Sequence, residues 1–291
     1  MTMDRILITG VAGFLGSNLA QTLLQDEKNI IYGIDNFSSS SMSNLYPMLK
    51  NSRFEFIEHN LKEDISLDVD CIYHLAGNGD FKNYKNDKYN FILDSIETTK
   101  NIIEFAQNKG AKLILTTQYH DYQEKNGDMF KYFDYLKLIE SLTLELIDKN
   151  KLNAVFARLD NTYGQNMIKN DNRFIPKTIV NAIQNIDIEL EYDDSYYFTY
   201  VQDVVAILIK IMNNYQNESI IDVFNQNLYL KSDIAKLIIA YSKSSSKLIL
   251  KSNETYTPNY NNNNPNDFKC ETKVIDGIFD TINWFKLMYF S

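Results

Sequence analysis

The chain has 291 residues, 44% of them hydrophobic and 23% charged, with a formal net charge of −9. That composition belongs to a folded globular protein with one large domain or a domain and a smaller appendage. The acidic balance, without any basic cluster, argues against nucleic acid as a partner, and no apolar run approaches the roughly 18 residues that would span a membrane.

In chain order, the first expected strand is Arg5–Thr9, which leaves no room for a signal peptide before it. A helix follows over Phe14–Gln25, then strands at Ile30–Ile34, Phe54–Ile57 and Cys71–Leu75, a helix at Lys88–Asn108, a strand at Lys112–Thr116, a helix at Phe133–Lys149 and a strand at Ala154–Ala157. Beyond Asp160 the rhythm loosens. Helices are expected at Arg173–Gln184, Val201–Asn213 and Ser232–Ser242, with short strands near Ile188–Tyr192 and Ile221–Phe224. The asparagine-rich stretch Asn253–Asn266 reads as an exposed loop, and Ile275–Phe285, with the sole tryptophan Trp284, as a structural capping helix. Cys71 and Cys270 lie far apart without metal-ligand spacing or an implied disulfide, and three scattered histidines argue against a metal site. Together these features point to a reducing, cytoplasmic setting.

Residues Arg5–Gly16, RILITGVAGFLG, carry the strongest signal. The apolar run Ile6-Leu7-Ile8 suits a strand buried on both faces. Gly10, Gly13 and Gly16 stand where that strand hands over to a helix. In such a turn one glycine permits the reversal, one admits a pyrophosphate to the backbone, and one lets the helix lie close to the sheet, with the phosphates over the positive end of its dipole. About twenty residues on, the second apolar run ends in Asp35. Its carboxylate suits the adenosine ribose hydroxyls and repels a 2'-phosphate, so NAD is expected rather than NADP. The fold expected is α/β, a Rossmann-like doubly wound parallel sheet over residues 1–160, with a smaller C-terminal substrate-type lobe over 161–291 interleaved with the main sheet.

GVAGFLG at Gly10–Gly16, IDNFSS at Ile34–Ser39, IYHLAG at Ile72–Gly77 and ARLDNTYG at Ala157–Gly164 resemble the extended short-chain dehydrogenase/reductase family of NAD-dependent nucleotide-sugar epimerases, dehydratases and decarboxylases. Phe54–Gly77 and Gly110–Leu115 resemble its UDP-glucuronate decarboxylase branch most. The resemblance implies cofactor contacts from Phe14 and Leu15 at the phosphates and from Asp35 and Asn36 at the ribose. It further implies contacts from Asn60 and Leu61 at the adenine, where the family more often has aspartate first. Leu75, Ala76 and Gly77 would lie along the pyrophosphate and nicotinamide ribose.

The chemistry departs from the family pattern. A Tyr-x-x-x-Lys pair is expected, the tyrosine exchanging a proton while hydride moves and the lysine holding the ribose. Here Lys137 is present, but Phe133 stands at the tyrosine position; Tyr132 is turned about 100° around the helix, and Tyr135 faces elsewhere. Gln118 replaces the usual serine or threonine of the fifth strand, and His120 stands where related branches have an acid. His120 is a candidate substitute acid–base group or an ordinary exposed histidine. His59 and His74 fall at positions that are usually structural. On the substrate side Tyr196 occupies the position of a diphosphate-clamping arginine, and Phe268 or Lys269 that of a second; Asn161 is retained. Arg158 is retained too, and a structural ion pair explains it equally well. Only nine residues, Gln123–Lys131, span a usually longer active-site loop.

Three readings follow: an NAD(H)-binding homologue without the standard activity, in a regulatory or structural role; an active enzyme with a different acid–base group such as His120; or an ordinary member of the family. Loss of proton and substrate groups together favours the first. A nucleotide sugar is the ligand the resemblance implies. The helix Phe133–Lys149, apolar on more than one face, suits a homodimer or a heterodimer with a homologue.

Overall fold

The computed structural model describes residues 4–77, 86–118, 128–150, 152–214, 219–252, 254, 255, 257 and 268–290, with the side chains of 128–133 and 150 outside that description. The chain forms two compact units, Met1–Leu159 with Leu208–Asp222, and Asp160–Ile207 with Val223–Ser291.

The first unit is built on strands β1 (Asp4–Thr9), β2 (Asn29–Asp35), β3 (Phe54–Glu58), β4 (Cys71–His74), β5 (Lys112–Gln118), β6 (Ala154–Leu159) and β11 (Ile220–Val223). They form one sheet in the order β11-β6-β5-β4-β1-β2-β3, with every pairing from β6 to β3 parallel. This is a Rossmann-like α/β architecture. Its chain order reverses between β1 and β4, which opens a crevice beyond the carboxyl ends of those strands. The strands form because their apolar runs can be covered on both faces: Leu7, Ile8, Ile72 and Leu113 are essentially inaccessible. Helices α1 (Phe14–Leu23), α2 (Lys88–Lys109) and α3 (Asp128–Asn150) belong to this unit. Ile102, Ile103 and Ala106 of α2 join Leu7, Ile72, Leu113 and Phe156 in one core.

Helix α3 begins at Asp128, five residues before the expected start, and α1 stops two residues early at Leu23. The ring of Tyr135 is buried and meets Phe91 of α2 edge-on at 5.7 Å, so this tyrosine serves the packing of the helix pair.

The second unit contains β7 (Thr162–Tyr163), α4 (Phe174–Ile183), β8 (Ile188–Leu190), β9 (Ser195–Tyr197) and β10 (Thr199–Tyr200). Helix α5 (Val201–Asn214) begins here, and β12 (Leu228–Leu230), α6 (Lys231–Ser242), β13 (Leu248–Leu250) and α7 (Val274–Tyr289) follow. Its strands pair two by two, β10 with β7 and β13 with β8 in parallel, β12 with β9 antiparallel. Strand β8 falls within the short strand expected near Ile188–Tyr192, while the other strands of this unit, two or three residues long, carry too little alternation to be read from sequence. Trp284 packs edge-on against Phe285 and Tyr289 at 5.4 Å each, the structural role expected for it.

Candidate nucleotide-binding site

The turn after β1 is closed by backbone. Gly10 and Val11 donate to Ile34 O at 2.8 and 3.3 Å, which folds the turn over the end of β2. Gly10 has φ 71°, and a Cβ there would lie 3.0 Å from Ala76 N at the end of β4. At Gly16 the constraint is distance: a Cβ would stand 2.2 Å from the Gly10 carbonyl oxygen. The start of α1 therefore lies directly against the turn. Gly13 at the N-cap offers no side-chain cap, and the first turn of α1 carries no acidic residue. The arrangement leaves the amide end of the helix to an anion.

Asp35, 8% exposed at the end of β2, gathers the neighbouring loops. Its Oδ2 accepts the Ala12 N–H at 2.9 Å; its Oδ1 accepts the Phe37 N–H at 2.9 Å and the Ser40 hydroxyl at 2.7 Å. These bonds engage three of roughly four lone-pair positions, so the carboxylate has room for a further donor. The role of Ser40 escaped the sequence reading, since one serine within Ser38–Ser41 gives no signal of its own.

Beyond β3, His59 N–H donates to Asp35 O at 3.2 Å, Asn60 Oδ1 accepts the Lys62 N–H at 3.1 Å, and Asn101 of α2 holds Leu61 O at 3.0 Å. Asn60 and Leu61 are thus fixed beside Asp35. On the other side of β1, Leu75 N–H donates to Thr9 O at 3.2 Å and Ala76 N–H to Thr9 Oγ1 at 3.4 Å. Leu75, Ala76 and Gly77 therefore flank the glycine turn. The structure brings Gly10, Gly13, Phe14, Leu15, Gly16, Asp35, Asn36, Asn60, Leu61, Leu75, Ala76 and Gly77 to the carboxyl ends of neighbouring strands, a cradle that fits a dinucleotide.

His74 bonds Thr9 Oγ1 through Nδ1 at 2.9 Å in the same strand ends. Burial holds its pKa down at about 4. Above the unfolded pKa of about 6.5 both states are neutral and the fold is fully favoured; as pH falls the unfolded state takes up the proton first. A stability loss of about 3 kcal/mol between pH 6.5 and 4 is expected from this group. Urea midpoints over that range should fall less steeply in a His74→Gln variant; an identical slope would contradict it.

Of the expected catalytic residues, Lys137 is exposed on α3, and Gln118 ends β5 half-buried opposite Leu159. Phe133 lies within α3 with its side chain outside the described residues, as does His120 altogether. Arg158 is a structural ion pair: its guanidinium grips Glu140 of α3 at 3.0 and 2.5 Å and lies 3.6 Å from the inaccessible Asp222 of β11.

In the second unit, Asn161 Nδ2 donates to Asp160 Oδ1 at 2.6 Å. Tyr196 is buried, its hydroxyl reaching Asp194 at 3.3 Å, with the Lys231 ammonium 4.7 Å over its ring. Phe268 is buried and Lys269 exposed. Among the described residues no cluster of three or more histidine, cysteine, aspartate or glutamate side chains could hold a metal ion, and no helix is long and apolar enough to cross a membrane.

Residues 6–225 match the model of the NAD dependent epimerase/dehydratase family. The chain belongs to that family. Its cofactor is NAD. UDP-glucuronic acid decarboxylase 6 of Arabidopsis thaliana is 28% identical over 251 residues, covering 80% of this chain and 73% of the relative. UDP-glucuronic acid decarboxylase 3 of the same plant is 30% identical over 225 residues, covering 72% and 66%. Among solved structures, a UDP-glucuronic acid 4-epimerase from Bacillus cereus, in complex with UDP-glucuronic acid and NAD, aligns with a TM-score of 0.84 over 98% of this chain and 100% of that one, at 21% identity. A dTDP-glucose 4,6-dehydratase from Bacillus anthracis in complex with NAD aligns with a TM-score of 0.81 at 17% identity, covering 98% and 97%. These likenesses extend the shared fold over both units.

Proposed function

We propose that the chain binds NAD(H) as a homologue of the nucleotide-sugar epimerases, dehydratases and decarboxylases and lacks their standard activity, acting in a regulatory or structural role. This reading is supported by the closely packed glycine turn ahead of α1, together with Phe133 at the sequence position where the family has its tyrosine.

Bound NAD supplies a hydride acceptor at its nicotinamide. The glycine turn and the amide end of α1 hold the pyrophosphate. Asp35, with Asn36 beside it, takes the adenosine ribose hydroxyls and repels a 2'-phosphate; Asn60 and Leu61 receive the adenine; Leu75, Ala76, Gly77 and Lys137 flank the nicotinamide ribose. Phe133 has no proton to exchange, which forfeits an acid–base contribution of roughly 10²–10⁴-fold, and Gln118 offers an amide where a hydroxyl is usual.

The domain reading takes residues 1–160 as the cofactor side and 161–291 as the substrate side, where Asn161 and Tyr196 stand at the nucleotide-sugar position; the two compact units differ from it in placing Leu208–Asp222 with the first and Asp160 with the second. Leu138 and Leu142, one turn apart on α3, are exposed, as are Tyr89 and Leu93 on the contacting α2. This apolar surface supports a dimer, with a second copy or with a homologue, through the α2–α3 pair. Two free cysteines support a reducing, cytoplasmic location.

A thermal melt tests the cofactor part. NADH at a hundred times its Kd should stabilise the chain by about 2.7 kcal/mol, with NADPH far weaker. An unmoved melting temperature would sink the reading. Phe133→Tyr alone should leave UDP-glucuronic acid unconverted; conversion by that single variant would show an intact substrate site.

A further inference from the structure

Asp35 ends β2 with its acceptors almost spent. Its Oδ1 takes two donors, the Phe37 N–H at 2.9 Å and the Ser40 hydroxyl at 2.7 Å, whereas its Oδ2 takes one, the Ala12 N–H at 2.9 Å. A carboxylate oxygen has about two lone-pair directions, so Oδ1 is full and Oδ2 keeps one opening. The three donors differ in how freely they move. Ala12 is inaccessible, and its carbonyl is held in turn by Asn44 Nδ2 at 3.0 Å. Phe37 sits on a left-handed backbone, φ 55°, with its ring 5.3 Å from that of Phe56 on β3. Among the described residues only Ser40 meets this carboxylate through a side chain, half-buried and turning about a single bond.

A ribose offers two neighbouring hydroxyls, and a carboxylate with one opening accepts one of them. We propose that Ser40 is a positioning residue of the cofactor site: by filling Oδ1 it restricts Asp35 to a single hydroxyl of the adenosine ribose, so that NAD(H) is held less firmly than this carboxylate allows and exchanges readily. The other hydroxyl is left to water and to the exposed Asn36 beside it. A neutral, solvated partner of that kind holds a hydroxyl more weakly than a charged one does. An exchangeable NAD(H) suits a regulatory role better than a permanently held one. The inference rests on the reading above that Asp35 receives the adenosine ribose, and it goes beyond it by assigning how many hydroxyls the carboxylate takes and which residue sets that number.

The test is fluorescence titration of the full chain and its Ser40→Ala and Ser40→Thr variants with NADH and with the two NADH analogues that lack either the 2'- or the 3'-hydroxyl of the adenosine ribose. In the wild type one analogue should bind at least about tenfold more weakly than NADH and the other less than about threefold, since only one hydroxyl meets the charge. Ser40→Ala frees the second position on Asp35. It should bind NADH at least about fivefold more tightly than the wild type and lose about tenfold or more with both analogues. Ser40→Thr restores the hydroxyl and should restore the wild-type pattern. A purely structural serine would give the opposite: its removal would loosen the loop, weaken NADH binding and leave the contrast between the analogues unchanged. That result overturns the proposal, as does a wild type that loses equally with both analogues. Should Ser40→Ala not fold, the wild-type contrast between the analogues decides alone. A wild type that binds NADH but is indifferent to both hydroxyls would remove the ribose from Asp35, and so overturn the underlying reading together with this one.

Discussion

Replacing Arg158 by alanine is expected to lower the unfolding free energy by about 3–5 kcal/mol, the range for breaking a buried ion pair on one side. The magnitude follows from Asp222, which is inaccessible to solvent and lies 3.6 Å from the guanidinium. Removal of Arg158 takes this cation away from a carboxylate that stays in a low-dielectric interior, and desolvation then opposes folding more strongly. Glu140 loses its forked partner as well, but at 14% side-chain exposure it regains some hydration. Two companion variants separate these contributions. Arg158→Ala with Asp222→Asn should recover a substantial part of the loss, because the buried charge is gone. Glu140→Gln alone should destabilise less than Arg158→Ala. Urea unfolding of the three variants checks this, and a loss below about 1 kcal/mol in Arg158→Ala would place the triad among ordinary surface pairs.

The second large effect is expected at Gly16. A Cβ at this position would stand 2.2 Å from Gly10 O and 2.8 Å from Val11 Cα, both backbone atoms that cannot rotate aside. Gly16→Val must therefore push α1 off the turn. Overpacking of this kind destabilises by about 1–3 kcal/mol. Binding should suffer more, because the same displacement moves the amide end of α1 away from the phosphates. NADH affinity is expected to fall by at least about a hundredfold, or roughly 2.7 kcal/mol. Fluorescence titration of the folded variant measures it; a change of less than threefold would mean that the cofactor does not depend on this turn.

The core of the first unit is legible in the sequence because its strands are apolar runs with little polar interruption, and because a glycine turn followed by Asp35 constrains topology and ligand class together. Legibility fails where structure depends on single long-range partners. Arg158 in sequence reads as either a ligand contact or an ion pair, and only the approach of α3 and β11 selects the second. Asp35 is expected from sequence to meet a ribose; its work in fastening the Ala12, Phe37 and Ser40 groups comes from loops that fold back on it. Tyr135 faces away from the Lys137 side of its helix, as its spacing implies, and α2 supplies the aromatic surface it packs against. Apart from β8, the paired strands of the second unit are too short for any periodicity.

On the proposed reading, a chain that keeps the glycine turn and Asp35 but has Phe133 at the tyrosine position should bind NAD and not turn over. The most direct measurement is mass spectrometry of nucleotide sugars after prolonged incubation of the full chain with NAD and UDP-glucuronic acid, under conditions where NADH titration shows the cofactor site to be filled. The sugar nucleotide is predicted to be recovered unchanged. Its conversion to a decarboxylated or epimerised product at enzymatic rates would contradict that reading.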